Sequence, residues 1–266
     1  LPTVLRSAGN VVVALDFKRD QRPFGNVLDA KCIAPKMDDA KRGVFAGLIS
    51  SVNCRKRTPY RLDEDGPPQL VSRALPFQSN FGMRPSEEAE LYQDNDSVEV
   101  CCVLAIIIAA WDGFFMFESP ADRGDEERVD LYVERWWDHA PMHLLQCFQH
   151  LCSVCEVVTV WFHLACFGSD FLGPTDFHLS ANISQNFQGL SAKRTLRRDQ
   201  PKKAAGWVNG ELHSGQKARF PTKLNHFINA AIGMWLAAGS STVQKAVTMP
   251  TVSVPAVHAP VASARL

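Results

Sequence analysis

No sign of charge predominates in this chain. Its 266 residues carry 28 Lys and Arg against 28 Asp and Glu, a formal net charge of zero. A neutral chain has no global field to draw it to nucleic acid or to a lipid surface, so any such binding must come from a local patch. Long apolar runs are also missing. The longest, VCCVLAIIIAAW at Val100–Trp111, falls well short of the ~20 residues that cross a bilayer. It predicts a buried helix or strand and no membrane partner. There is no basic-then-apolar leader and no initiating Met before Leu1. The expectation is therefore a chain without a secretory signal and a fragment of a longer coding sequence. Eight cysteines are present, scattered through a chain that is 46% hydrophobic. Such a chain builds a core without staples, so the thiols are expected to stay reduced in a nuclear or cytoplasmic setting.

The apolar pattern alternates between strand-like and helix-like segments. Leu1–Asn10 reads as the end of a helix closed by Gly9 and Asn10. Val11–Phe17 (VVVALDF) reads as a fully buried strand ending near Asp16, and Asn26–Ala30 (NVLDA) as a short segment ending near Asp29. Gly43–Ser51 is a third apolar strand, leading into Val52-Asn53-Cys54. Arg55–Pro68 is a basic, turn-rich loop. Ser86 is the expected N-cap of a helix, Asp96–Trp111 has helix length, and Phe114–Phe117 is a buried strand ending on Glu118. Val129–Cys155 reads as a long helix kinked at Pro141, Glu156–Phe167 and Thr175–Asn182 as strands, and Pro221–Ala238 as a helix. Residues 1–238 are expected to form one α/β domain, a doubly wound open sheet of parallel strands with a short helical C-terminal part. Residues 239–266, rich in Val, Ala, Ser and Pro, are expected to be a disordered tail.

In open α/β sheets ligands bind beyond the carboxyl ends of the strands, and Asp16, Asp29, Cys54 and Glu118 all fall at or just past such ends. The order of these features resembles that of the cytosine DNA methyltransferases. That family has an acidic residue after the second strand, a Pro-Cys loop after the fourth and Glu-Asn-Pro or Glu-Asn-Val after the fifth. Gly66-Pro67-Pro68, Gln93-Asp94-Asn95, Cys166-Phe167-Gly168, Gly173-Pro174-Thr175 and Phe220-Pro221-Thr222-Lys223-Leu224 are similar to further short motifs of divergent methyltransferase-like domains that accompany mobile elements. The resemblance runs through residues 4–236. It implies a Rossmann-like fold, Cys54 as the thiolate that adds to carbon 6 of cytosine, and Glu118 as the carboxyl partner at ring nitrogen 3. It also implies that the target base is flipped out of the duplex. S-adenosylmethionine is the implied cofactor, with Asp16 on its ribose and Asp29 at its adenine.

This sequence departs from the family at several points. Asn53 stands where the family has Pro, and Ser119 where it has Asn. The segment that orients the flipped base has no counterpart between Phe162 and Phe171, and the first strand with its Gly-rich cofactor loop is missing. The expectation is a methyltransferase-like domain that binds the cofactor weakly or not at all, with active and inactive forms both left open. The alternatives are a non-catalytic nucleic-acid-binding module of a mobile element, and a structural pseudoenzyme acting through protein contacts. DNA is the expected partner. Arg197, Arg198, Lys202 and Lys203, in a stretch with six basic side chains and one acid between Lys193 and Lys203, are the expected phosphate contacts. Cys152-x-x-Cys155 with His163 and Cys166 has a spacing usable for zinc, but it lies among apolar residues and reads as core cysteines. His143, His150 and His178 read as ordinary histidines, and no metal is expected.

Overall fold

The computed structural model describes residues 2–7, 9, 11, 13, 26–51, 57–62, 69–79, 82–169, 172–195, 207–208, 211–212 and 220–239. Asp16, Cys54, Arg197, Arg198, Lys202, Lys203 and the segment 240–266 lie outside them. Six helices are described: α1 (Pro2–Ser7), α2 (Ala30–Lys41), α3 (Pro85–Ala109), α4 (Gln146–Val154), α5 (Ala181–Ser184) and α6 (Thr222–Gly239). The main strands are β1 (Gly47–Ser51), β2 (Phe114–Pro120), β3 (Val157–His163) and β4 (Pro174–Ser180). β5 (Trp207–Val208) and β6 (Glu211–Leu212) form a separate antiparallel ribbon.

The four main strands make one open sheet in the order β1-β2-β4-β3. β1 runs parallel to β2, while β4 is antiparallel to both β2 and β3. The sheet is therefore mixed, not the parallel one that the alternation of elements predicts. The connection explains the difference. After β3 the chain makes one 3₁₀ turn, Leu164–Phe167, closed by Gly168 in the left-handed region (φ 89°), and re-enters the sheet at Pro174. So short a return delivers an antiparallel neighbour, because a parallel one needs a crossover of a dozen residues or more.

Strand alternation divides the side chains between two faces. On one face Phe114, Met116, Phe162, Phe177 and Leu179 pack against Leu224, Ile228, Ala231 and Ile232 of α6. On the other, Phe115 and Phe117 pack against Val98, Cys102 and Ala105 of α3 and Phe148 and Leu151 of α4. The far side of α3 carries Leu104, Ile107 and Ile108 into a third cluster with Ala40 of α2. This double coverage explains the run Val100–Trp111: a helix apolar all round is covered all round. Close approach fixes one glycine. A Cβ on Gly47 would lie 2.3 Å from the Phe114 ring across the β1–β2 pair.

Several local expectations change. Val11 and Val13, the described part of the predicted buried strand, are 98% and 46% exposed and belong to no strand. α3 starts at Pro85, not after Ser86. Proline suits the first helical position, and the Glu87 carboxylate accepts from the Arg84 amide at 3.4 Å to close a capping box. The predicted long helix across 129–155 is instead two 3₁₀ turns, Glu134–Trp136 and Met142–Leu144, followed by α4. Pro141 holds an extended conformation (ψ 166°) and so ends one helical piece before the next begins. No helix among the described residues is long and apolar enough to cross a membrane, and no disulfide joins the described cysteines.

Candidate functional site

The carboxyl ends of β1 and β2 meet at one edge of the sheet. Ser51, the last residue of β1, is in register with Glu118 of β2. The Ser51 hydroxyl donates to Glu118 Oε2. Glu118 is half-buried, on the same face as Met116 and Phe177. Burial pushes its carboxyl pKa up, and the Ser51 hydrogen bond only partly opposes the shift. The expected partner of Glu118, Cys54, follows Ser51 by three residues and lies outside the described residues.

Asp29 is described, but not at a strand end. It is the N-cap of α2: Oδ1 accepts from the Lys31 amide at 2.9 Å and Oδ2 from the Cys32 thiol at 3.6 Å. This is an ordinary capping role, and no described strand precedes it. Both Asp29 oxygens are engaged in the cap, and Asp16, the other residue implied for S-adenosylmethionine, lies outside the described residues. The spacing of Cys152, Cys155, His163 and Cys166 is not kept together in space. Cys155 precedes β3 and His163 ends it, so a seven-residue strand, about 20 Å at ~3.3 Å per residue, separates them.

The other face of the same edge holds a charged network that sequence reading missed. Asp122, two residues past β2, is fully buried. Its two oxygens each accept from Arg73 Nη1 at 3.0 Å, and Oδ1 also accepts from the Gly124 amide at 3.0 Å. His139 Nδ1 and His143 Nε2 each lie 3.4 Å from it. Burial alone would raise the Asp122 pKa. The two histidines and the Gly124 amide outweigh it and hold the carboxyl well below the usual carboxylate range. Gly124 is required here, since a Cβ would meet the Trp136 carbonyl oxygen at 2.7 Å.

Asp176 of β4 is the second fully buried carboxylate, and Arg128 grips it with two parallel bonds of 2.7 Å. Two residues on along β4, His178 sits on the same face. Its Nδ1 lies 2.9 Å from Thr159 Oγ1 and its Nε2 3.3 Å from Ser119 Oγ. Burial lowers the His178 pKa to about 4, which leaves the ring neutral at physiological pH. Its ring packs edge-on against Phe148 of α4 and lies 5.7 Å from that of His143. One signal for this network was in the sequence. In Pro174–Ser180 the polar residues Asp176 and His178 alternate with Phe177 and Leu179, which places both on one face of a strand with no exposed residue.

The described residues thus define a mixed α/β chain with an open four-stranded sheet. One edge of that sheet carries a carboxyl whose pKa burial raises on one face and a buried charge network on the other. No protein-family model matches the chain, and neither the curated proteins nor the solved structures contain a significant match to it.

Proposed function

We propose that this chain is a cytosine-methyltransferase-like domain of degenerate type, in which Cys54 and Glu118 act on a flipped cytosine. One observation carries the reading: β1, the strand that leads to Cys54, runs parallel to β2 and ends in register with Glu118. A chain leaving Ser51 toward Cys54 therefore sets out beside the Glu118 carboxyl. The raised pKa of Glu118 supports the same reading, because the shift favours the protonated form, the one that can donate to ring nitrogen 3.

The chemistry runs on this chain's own groups. The Cys54 thiolate forms a bond to carbon 6, the ring electrons move toward nitrogen 3, and Glu118 gives its proton there and becomes a carboxylate. Carbon 5 is then enamine-like and takes a proton from water. Loss of the original carbon-5 hydrogen to solvent, expulsion of the thiolate and return of the nitrogen-3 proton to Glu118 restore both base and protein. The net result without a methyl donor is exchange of the carbon-5 hydrogen with water.

A duplex carrying cytosine tritiated at carbon 5 tests this directly. Wild-type protein is expected to release tritium into water, Cys54→Ala to release none, and Glu118→Gln to slow release by about 10²-fold or more, as loss of a positioned proton donor does. A folded wild-type protein that binds the duplex and releases no tritium would overturn the reading.

A further inference from the structure

We propose that His143, Asp176 and His178 form a binding site for a single divalent transition ion of the zinc or cobalt type. The site is on the opposite face of the sheet from Glu118 and independent of the reading above.

One ligand atom from each of the three residues lies within 4.8 Å of the other two. Ligand atoms around a tetrahedral zinc at 2.0–2.1 Å stand about 3.4 Å apart, so small side-chain rotations close the set. The donors come from two rigid parts of the fold: Asp176 and His178 from β4, and His143 from the 3₁₀ turn Met142–Leu144. Two imidazoles and one carboxylate are the mixed nitrogen and oxygen set that suits borderline ions rather than Mg²⁺ or Ca²⁺.

Contacts around the rings leave donors open. His143 Nε2 faces the Asp122 carboxylate at 3.4 Å. Its other ring nitrogen, Nδ1, is buried and has no hydrogen-bond partner among the described residues. An unpartnered buried nitrogen of this kind calls for an explanation, and an ion supplies one. On His178, Nδ1 lies 2.9 Å from Thr159 Oγ1, and Nε2, 3.3 Å from the Ser119 hydroxyl, is the nitrogen that coordinates once that hydroxyl turns aside. Arg128 fixes the Asp176 carboxylate by both oxygens; Oδ2 also accepts from the Asp122 amide at 3.3 Å, and Oδ1 keeps a further lone pair. Every ligand is therefore oriented by an outer partner, as metal ligands characteristically are.

Access and charge shape what the site would hold. The His143 side chain is 27% exposed and gives the ion a way in. Three protein donors leave a fourth position for water, the arrangement of open sites rather than closed structural ones. Arg73 and Arg128 already balance Asp122 and Asp176, so an entering ion adds uncompensated positive charge. The fourth ligand would therefore be hydroxide or another anion.

Cobalt(II) titration of metal-free full-length protein tests the proposal, because cobalt reports its ligands. The expected result is one equivalent bound, with weak visible d–d bands and without the intense near-ultraviolet band of a cobalt–thiolate bond. Folding of each variant is followed by circular dichroism. His143→Ala, at a partly exposed residue, is expected to abolish that spectrum. Thr159→Val, which removes the hydroxyl 2.9 Å from His178 Nδ1, is expected to weaken cobalt binding by about 10-fold or more, as loss of an outer partner does. No stoichiometric binding, a thiolate band, or a spectrum unchanged in His143→Ala would each overturn the proposal.

Discussion

Replacing Arg128 by Met isolates the energetics of the buried network. Asp176 is fully buried, and Arg128, itself only 20% exposed, supplies both of its strong bonds at 2.7 Å. Methionine keeps much of the arginine stem's volume but leaves a carboxylate in the interior without its counter-charge. Removing one partner of a buried pair costs about 3–5 kcal/mol. That is a large share of the roughly 5–15 kcal/mol by which domains are stable. The pair with Asp176→Asn should restore much of the loss, since the amide needs no counter-charge. Urea denaturation of wild type, both single variants and the double variant at pH 7, in the presence of chelator, measures this. An Arg128→Met variant within about 1 kcal/mol of wild type, or a double variant no more stable than Arg128→Met, would refute the reasoning.

Glu118 has the opposite sign from a salt-bridged carboxylate. Its folded pKa is raised by burial, so the fold loses stability as pH climbs from the unfolded value, about 4.3, through the raised one. Glu118→Gln should match wild type near pH 4 and be the more stable of the two at pH 7; thermal melts at the two pH values decide it. Gly47→Ala should destabilise by about 1–3 kcal/mol, because its methyl would meet the Phe114 ring at 2.3 Å. Phe114→Leu in the same chain should recover part of that, and no recovery would mean that the clash is not the cause.

What the sequence made legible followed from periodicity and punctuation. α6 shows its apolar stripe at Leu224, Ile228 and Ile232, and β1, β2 and β4 lie where apolar runs bounded by Gly, Pro or Asn put them. The long apolar run was read as buried, and it is the second half of α3. Three things were hidden. The antiparallel insertion of β4 depends on a connection length that matters only once β3 is known to end at His163. The breaks in 129–155 follow from Pro141 and from side chains recruited to Asp122, where the tertiary contacts of His139 and His143 outweigh helix propensity. The charge network depends on residues far apart in sequence, such as Arg73 with Asp122 and Arg128 with Asp176, which no local pattern connects. Of the candidate site, the ends of β1 and β2 were legible, because both apolar runs declare where they stop; their pairing through Ser51 was not. The helix-capping role of Asp29 was not, because a capping aspartate and a ligand-binding one look alike in one dimension.

Glu118 and Ser119 are neighbours in one strand, yet one side chain points toward the α6 face and the other toward His178. A genetic consequence follows. Deleting or inserting a single residue in the first half of β2 would turn every later side chain over. An insertion would bring the carboxyl opposite Asp176 and leave Phe117 beside Ser51; a deletion would bring it opposite His178 and leave Ser119 beside Ser51. Point changes at either position disturb one face of the sheet at a time, whereas a one-codon length change would disturb both together. Over Phe114–Pro120 a mutational scan should therefore tolerate many substitutions and no change of length.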